Sequence, residues 1–397
     1  MRRTVTIILG SIVAILLIIG AFAFFYLQGT ITQLNQPGRT PAIPQHNMFA
    51  EKVPDTLYSV EPFVQNLLVP WGMVFTSGDR LLVTERPGRI RVVLNGELQA
   101  EPLHTFPEVT SEGEDGLMGI TLGPDYENNK YIYLCLAYEK EGKKLDKVIR
   151  LTDEGSQLIG ERIVLDDIPI AQFHAGCRIR FAPDDTLYIT TGDAQNSASA
   201  QDLSSLAGKI LRVHADGSIP ADNPFGDSPI YSYGHRNPQG LDWHPLSKIL
   251  ISSEHGPTGG DGPGGGDEVN LIEAGGNYGW PLVSHNKTMN GMIGPLLVFT
   301  PAIAPASGMF YSGSTFLQLK NNFLVGMLKG EGILRVSFDQ SGQNVAEFEP
   351  LPAIAVGRVR DVIQGPDGLI YFATSNRDGR GSVRDGDDQI YRLVPRR

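Results

Sequence analysis

One unit recurs six times along this chain: an apolar strand, a turn of Pro, Asp, Gly or Asn, and a second apolar strand that ends in a polar or glycine-rich loop. The six copies are WGMVFTSGDRLLVTERPGRI from Trp71, GITLGPDYENNKYIYLCLAY from Gly119, RIRFAPDDTLYITTGD from Arg178, GLDWHPLSKILISSEHG from Gly240, STFLQLKNNFLVGMLKG from Ser314 and VRDVIQGPDGLIYFATSN from Val359. Their turns lie roughly 47 to 74 residues apart, close to the spacing of multi-stranded blades. Six hairpins with weaker strands between them predict an all-β fold, a six-bladed β-propeller. Loops from one end of every blade then meet around one axis, so residues far apart in sequence can share a pocket.

The composition supports a closed all-β domain and argues against one class of partner. Hydrophobic residues make up 41% of the chain, enough for a large core, and 46 glycines and 27 prolines suit many tight turns. The net charge is −11, and no basic stripe runs along the sequence. Because nucleic-acid binding depends on clustered lysines and arginines that neutralise phosphates, we expect no nucleic-acid partner.

The N-terminus carries a separate signal. Residues 5–27 contain no charged side chain, and this stretch of about 23 residues is long enough to cross a bilayer as one helix. We therefore expect a single N-terminal transmembrane helix within residues 1–28, a linker over 29–54 and a propeller catalytic domain over 55–397. A cleaved signal peptide is the alternative, because GAFA at 20–23 resembles a cleavage site.

The charges before this apolar stretch predict its orientation. Arg2 and Arg3 precede it, and positively charged flanks stay on the cytoplasmic side. We expect a single-pass protein of the cell membrane, whose catalytic domain lies on the extracytoplasmic side, in the periplasm or outside the cell.

Two cysteines, Cys135 and Cys177, are the only ones in the chain. An extracytoplasmic location permits a disulfide, but the spacing alone cannot pair them. Each lies in a strand pattern, so two separate buried thiols are the favoured interpretation and a disulfide is the alternative.

Two segments next to the hairpins contain candidate catalytic residues. His174, in FHAGCRIRF, is of a type that can accept a proton from a substrate hydroxyl, and Asp193, in TTGD, could orient its ring. Arg236 and Asn237, in YGHRNPQGLDWHP, suit carbonyl or carboxylate oxygens. Each motif taken singly is also consistent with a structural histidine, a Gly-Asp turn or a surface arginine.

A cationic group predicts an anion site. Lys329 lies where a strand ends in GMLKGEGILRV, and Arg358 and Arg360 stand two apart, on one face of a strand. Together they suit a ligand with several carboxylates. A solvated charged strand face remains the alternative.

A glycine-rich stretch over residues 252–281, SSEHGPTGGDGPGGGDEVNLIEAGGNYGWP, predicts a metal site. Calcium prefers carbonyl and carboxylate oxygens, and this loop offers both, with Asp267, Glu268 and Tyr278 in its second half. The spacing is not that of an EF-hand, and a flexible loop is the other interpretation.

In this order the motifs resemble the soluble-type sugar dehydrogenases that depend on pyrroloquinoline quinone (PQQ). The resemblance runs from about residue 58 to 395 and is most specific in GKILRVHADGSIPADNPF (208–225), YGHRNPQGL (233–241) and DEVNLIEAGGNYGWP (267–281). It implies a six-bladed propeller that uses PQQ and calcium to oxidise aldose sugars at C1 to the lactone. Electrons would pass to an external or membrane acceptor, a quinone or a cytochrome.

The resemblance also implies roles, residue by residue. His174 matches the base that removes the proton of the C1 hydroxyl, and Asp193 the acid that supports it. Arg236 and Asn237 match residues on the quinone oxygens. The remaining matches are the carbonyls of Gly256 and Pro257 as calcium ligands, Lys329, Arg358 and Arg360 as cofactor-binding cations, Glu114 beside the substrate and cofactor, and Asp267, Glu268 and Tyr278 near a second calcium site.

Three features depart from the family pattern. The stretch TGGDGPGGG is inserted between EHGP and DEVN, which affects the second calcium site. Glu114, in GEDGLMG, stands where the family has a glutamine, so contacts with the sugar are expected to differ. The predicted anchor differs from a secreted enzyme and could hold the domain near membrane electron acceptors.

Two other functions fit a propeller with these motifs. One is a calcium-dependent hydrolase or lactonase, which would not need the cationic group of Lys329, Arg358 and Arg360. The other is a non-enzymatic, membrane-tethered propeller that binds a glycan or a protein, since fold alone does not define function.

Overall fold

The computed structural model of the chain describes residues 53–54 and 56–396. The predicted transmembrane helix and nearly all of the linker lie outside the described residues. Within the described ranges, no helix is long and apolar enough to cross a membrane.

Twenty-five strands in the described part form six antiparallel sheets, which confirms the six-bladed β-propeller. Blade 1 consists of β2 (Pro70–Phe75), β3 (Arg80–Glu85), β4 (Arg89–Leu94), β5 (Glu97–Leu98) and β6 (His104–Thr105). Blade 2 consists of β7 (Leu117–Leu122), β8 (Tyr131–Lys140), β9 (Lys143–Asp153) and β10 (Leu158–Pro169). Blade 3 consists of β11 (Ile179–Phe181), β12 (Leu187–Thr191), β13 (Lys209–Val213) and β14 (Ile230–Tyr233). Blade 4 consists of β15 (Pro238–Trp243), β16 (Leu250–Glu254), β17 (Asp267–Ile272) and β18 (Leu297–Phe299). Blade 5 consists of β19 (Pro305–Phe310), β20 (Phe323–Met327), β21 (Gly332–Phe338) and β22 (Val345–Pro350). Blade 6 consists of β23 (Val359–Gln364), β24 (Ile370–Thr374), β25 (Ile390–Pro395) and β1 (Tyr58–Val64). Three short helical turns accompany them: α1 (Tyr126–Asn129) and the 3₁₀ turns Ser197–Gln201 and Leu317–Leu319.

The two ends of the described chain close the ring. Strand β1 pairs antiparallel with β25, so the sixth blade combines one N-terminal strand with three C-terminal strands. A propeller closed in this way leaves only the short outer edges of its blades unpaired.

The innermost strands are β2, β7, β11, β15, β19 and β23, and each contacts a strand of the neighbouring blade around the axis. Glycine is needed where they approach most closely. A Cβ atom at Gly119 would clash with the carbonyl of Cys177 in the next blade, and one at Gly240 would clash with the backbone of Gly308. Only a residue without a side chain fits these positions.

Apolar packing holds the blades together. The described residues form six buried clusters, and each fills one interface between neighbouring blades. In the interface between blades 4 and 5, for example, Ile251 and Val269 of one blade share a cluster with Phe323 and Val325 of the next. The alternating strand pattern therefore buries both faces of each sheet against its neighbours, as close packing of sheets requires.

One predicted hairpin is shifted. The unit beginning at Ser314 contains only the second strand of its blade, β20, and its apolar residues Phe316 and Leu319 are buried around a 3₁₀ turn. The inner strand is the earlier segment PASGMF, which contains Pro, Ser and Gly and resembles a turn in sequence. Gly308 is required there because the ring of Phe323 occupies the space of a side chain.

The preference for two separate thiols was wrong. Cys135 of β8 and Cys177, just before β11, form a disulfide, with Cα atoms 5.7 Å apart. The sequence could not pair them because 42 positions separate them, whereas the ring of blades places β8 beside the segment that leads into β11. The bond therefore links blade 2 to blade 3.

Candidate active site

A cavity of about 1130 Å³ opens at one end of the axis. In an antiparallel hairpin, the residues before the first strand and those after the second strand lie at the same end. The cavity is lined by such residues from all six blades: Arg86 follows β3, Glu114 precedes β7, His174 precedes β11, Arg236 precedes β15, Leu328 follows β20 and Arg358 precedes β23. The pocket predicted from the repeat is therefore present.

His174 and Asp193 form a hydrogen-bonded pair in this cavity. The Nδ1 atom of His174 lies 2.7 Å from Oδ1 of Asp193, and Oδ2 of Asp193 accepts a hydrogen bond of 2.8 Å from the indole N–H of Trp280. Because Nδ1 is held by the carboxylate, Nε2 is the nitrogen left to act on a substrate. The predicted contact between His174 and Asp193 is thus observed, in the arrangement that an orienting acid and a base would need.

A buried layer holds the loop that carries Arg236 and Asn237. The carboxylate of Glu254 accepts the backbone N–H groups of both residues and lies 2.9 Å from Nδ1 of His235. His235 in turn stacks on Tyr278, with 4.6 Å between the ring centroids. These contacts place Arg236 in the cavity wall.

Asn237 acts behind the wall rather than on its surface. Its side-chain Oδ1 accepts the N–H of Gly176, and its side-chain Nδ2 lies 3.4 Å from Oε2 of Glu114. Asn237 is fully buried and does not line the cavity. It links the loop of blade 4 to the loops that carry His174 and Glu114.

Glu114 contacts both His174 and Arg380, a cation that the sequence analysis missed. Its Oε2 accepts the backbone N–H of His174 at 3.0 Å, and its Oε1 lies 3.0 Å from Nη1 of Arg380. Burial alone would raise the pKa of this carboxyl, but His255, Arg380 and the His174 N–H together lower it. Glu114 is therefore ionised.

The predicted cationic group is assembled in the same cavity. Arg358 pairs with Asp378, with 2.8 Å between Nη2 and Oδ2, and Lys329 is an exposed residue of the cavity lining. Arg360 is buried and donates to Oε1 of Gln239 at 3.0 Å. Burial lowers the pKa of Arg360 to about 10, so it remains a cation at neutral pH.

Three of the five predicted metal residues meet at the cavity. Gly256, Pro257 and Asp267 all line it. The carboxylate of Asp267 accepts three backbone N–H groups, from Gly256 at 2.8 Å and from Ile303 and Ala304 at 2.7 Å each. Asp267 therefore holds the Gly256–Pro257 turn in place, and the oxygens that this turn can offer a cation are carbonyls.

The other two predicted metal residues, Glu268 and Tyr278, do not line the cavity. The Tyr278 hydroxyl donates to the carbonyl of Leu271 at 2.6 Å, and Glu268 accepts from Asn270 at 3.1 Å. Burial, together with the neighbouring Glu254, raises the pKa of Glu268 well above its usual value. A second calcium site at these residues stays a prediction.

Several residues of the site were missed by the sequence analysis. They are Arg86, His255, Asp261, Asp378 and Arg380 in the cavity lining, with Trp280 behind Asp193. Asp193, in TTGD, was singled out because it follows the second strand of a hairpin. Asp378, in TSNRDGRG, also follows the second strand of a hairpin. That rule could have found Asp378 and Arg380, whereas nothing local indicates that Trp280 reaches Asp193.

The axial cavity of this six-bladed propeller combines a carboxylate-held histidine with a group of cations, as expected of the propeller oxidoreductases that the sequence resembles. The family model described as Glucose / Sorbosone dehydrogenase matches residues 67–391, and the chain belongs to this family. The resemblance noted in the sequence is thereby confirmed.

Individual relatives agree with this assignment. The aldose sugar dehydrogenase YliI of Escherichia coli K12 is 33% identical over 345 residues, which cover 81% of this chain and 91% of the relative. Among solved structures, an oxidoreductase of Thermus thermophilus assigned as a glucose dehydrogenase is 40% identical with a TM-score of 0.78, covering 85% of this chain and 100% of the other. The PQQ-bound form of aldose sugar dehydrogenase from Streptomyces coelicolor is 33% identical with a TM-score of 0.75, covering 86% and 99%. The protein is an oxidoreductase of the glucose and aldose sugar dehydrogenase family.

Proposed function

We propose that the protein oxidises aldose sugars at C1 to the lactone, with PQQ and calcium as cofactors, and passes the electrons to an external or membrane acceptor. The observation that carries the proposal is the single cavity in which the His174–Asp193 pair faces the cations Arg236, Lys329, Arg358 and Arg360. The PQQ-bound relative from Streptomyces coelicolor supports the choice of cofactor.

The polar atoms of the cavity fit a planar anion such as PQQ. Nη2 of Arg236 and Nε of Arg360 are buried donors without a hydrogen-bond partner among the described residues. Buried donors are costly when unpaired, so a ligand with carboxylate or quinone oxygens would satisfy them. A hydrolase of neutral lactones would not need buried, unpaired donors for an anionic ligand.

The fit to calcium rests on the Gly256–Pro257 turn. Among the described residues, no cluster of three or more carboxylate or histidine side chains converges in the cavity. A cation there would depend on the two carbonyls, on water and on the oxygens of the cofactor, which agrees with the preference of calcium for oxygen.

The residues of the chain then have distinct tasks. PQQ would supply the two-electron acceptor when bound, and calcium the Lewis acid that polarises it. Nε2 of His174 takes the proton of the C1 hydroxyl, and Asp193 stabilises the resulting imidazolium. Trp280 holds Asp193 in place, and Arg236 presents its free N–H group to the negative charge that develops on reduction.

The test uses the full chain purified in detergent. We expect reduction of an artificial electron acceptor with an aldose only when both PQQ and calcium are added, and loss of this activity with a calcium chelator. Turnover without PQQ, or lactone hydrolysis in its place, would contradict the proposal.

We also propose that the enzyme is held at the cell membrane by residues 5–27, with the catalytic domain on the extracytoplasmic side. The uncharged stretch and the preceding arginines support this orientation, and so does the disulfide, because such bonds persist in oxidising compartments. Protease added to intact spheroplasts should digest the domain while the cytoplasm stays protected. Release of the domain into the soluble fraction would indicate cleavage instead.

A further inference from the structure

The inserted glycine-rich stretch contributes one charged side chain to the cavity, Asp261. Its Oδ2 lies 2.7 Å from Nε of Arg236, and its Oδ1 accepts the backbone N–H of Thr258 at 3.0 Å. Arg236 is 3% exposed, whereas Asp261 is 28% exposed at the cavity surface. The insertion therefore reaches the residue that faces the reacting part of the cofactor in the proposed function.

The remaining contacts of Arg236 show what the carboxylate does to it. Nη1 lies 3.3 Å from the carbonyl of His255, and the guanidinium lies over the ring of Trp280, 5.6 Å from its centroid. Nη2 is the one nitrogen of this guanidinium without a partner among the described residues. Because a guanidinium is planar and rigid, fixing Nε and Nη1 also fixes the direction of Nη2.

The rest of the inserted loop makes few contacts that would account for the position of Asp261. A Cβ atom at Gly259 or Gly260 would meet no neighbour, so the loop tip is not packed against the propeller. The loop is closed at its base by the N–H of Gly265, which donates to the carbonyl of Pro257 at 3.1 Å. The ion pair with Arg236 is thus the side-chain contact that joins the tip to the cavity wall.

We propose that Asp261 is a positioning residue for Arg236: it holds Nε so that Nη2 is directed at the bound cofactor. This rests on the proposed function, in which Arg236 contacts the cofactor. The alternative is that Asp261 competes with the anionic cofactor for Arg236 and must be displaced by it. The two ideas predict opposite effects of removing the carboxylate.

The test compares Asp261→Ala and Asp261→Asn with the wild type as full chains. PQQ is titrated with calcium present, its absorption spectrum is recorded, and kcat and KM are measured with an aldose. For Asp261→Ala we expect weaker PQQ binding, a changed spectrum of the bound cofactor and a kcat lower by about tenfold to a hundredfold, with little change in KM, since small misplacements of a catalytic group have effects of this size. Asp261→Asn should be milder, because its amide oxygen can still accept from Nε.

Asp222→Asn is the matched control. Asp222 is 76% exposed and pairs with the buried Arg212 at 2.9 Å, outside the cavity, so this variant removes the same charge from the same kind of pair. It should behave as the wild type.

Two outcomes would overturn the proposal. Tighter PQQ binding with equal or higher kcat in Asp261→Ala would show competition, and wild-type values in every measurement would show that the pair has no role. If the wild type itself binds no PQQ, the proposed function fails. The positioning of Arg236 by Asp261 is then tested by NMR on the cofactor-free protein, through the Nε–H resonance of Arg236, which is assigned by comparison with Arg236→Lys. A resonance unchanged in cofactor-free Asp261→Ala would then contradict it.

Discussion

His174 occupies a backbone conformation that non-glycine residues rarely adopt. Its φ is 62°, and Gly176 and Cys177 follow at 67° and 70°. Non-glycine residues in the left-handed region carry a cost that the surrounding structure must offset, and they are concentrated at functional sites. Here the offset comes from Glu114, which accepts the His174 N–H, and from Asp193, which holds the ring. The local strain serves to point one imidazole into the cavity.

The first prediction concerns this imidazole. His174→Ala should lower kcat for aldose oxidation by about 10² to 10⁴, the usual contribution of a general base, while PQQ and calcium still bind. The measurement is turnover beside a PQQ titration. His214→Ala, a change at an exposed histidine outside the cavity, is the control and should leave both unchanged. Retained turnover in His174→Ala would reject the base assignment.

At the level of single residues, the sequence predicted the candidate catalytic side chains more completely than the side chains that hold them in position. His174, Asp193 and Arg236 could be found because each stands in a short, unusual motif beside a hairpin. Trp280 could not, because its partner Asp193 lies in another blade and nothing in the local sequence points to that partner. The side chain of Asn237 links the loops that carry His174 and Glu114, a role that its motif did not indicate, and its assignment to the cofactor stays a prediction.

Elements were predicted where both strands of a hairpin are apolar and the turn is distinct. The inner strand of blade 5 was missed because its segment, Pro305–Phe310, contains Pro, Ser and Gly, which usually indicate a turn. Close approach to Phe323 requires the glycine, so tertiary packing overrides local preference there. The disulfide between Cys135 and Cys177 was missed for a related reason, since it depends on which blades are neighbours.

The second prediction concerns this disulfide. Cys135→Ala/Cys177→Ala should lower the free energy of unfolding by about 3 to 4 kcal/mol, because the bond restricts a loop of the unfolded chain between positions 42 apart. Denaturant unfolding measures it, and reductant should bring the wild type to the same midpoint without moving that of the variant. Equal stability of the oxidised wild type and the variant would contradict the prediction.

The whole molecule depends on joining its sixth blade to its first. Leu67 and Asp388 exchange two backbone hydrogen bonds, each 2.9 Å, across this junction. The Asp388 carboxylate also accepts the N–H of Val69 at 3.1 Å and that of Asn376 at 2.6 Å. The six repeats predict the ring, but no repeat contains this closure, because it joins segments from opposite ends of the described chain.

The junction gives the third prediction, a dependence of stability on pH. Burial raises the pKa of Asp388 from 3.8 to about 6, against the opposing effect of the N–H groups that it accepts. Between pH 3.8 and 6 the folded protein therefore binds a proton that the unfolded chain has released, so this carboxyl makes folding less favourable as the pH rises through that window. Its contribution to the free energy of unfolding should fall by at most about 3 kcal/mol between about pH 4 and 7.

Asp388→Asn isolates this contribution, because an amide does not titrate. The variant should be less stable than the wild type at about pH 4, since its amide group cannot accept every hydrogen bond made by the carboxyl, and the difference should shrink as the pH rises to about 7. Unfolding in denaturant at several pH values measures the difference, and Asp227→Asn, at an exposed carboxylate outside the junction, serves as the control. A difference that is constant or that grows with pH would show that the Asp388 carboxyl is already ionised at the acidic end of the range, and the closure would then depend on a buried charge fully stabilised by its N–H donors.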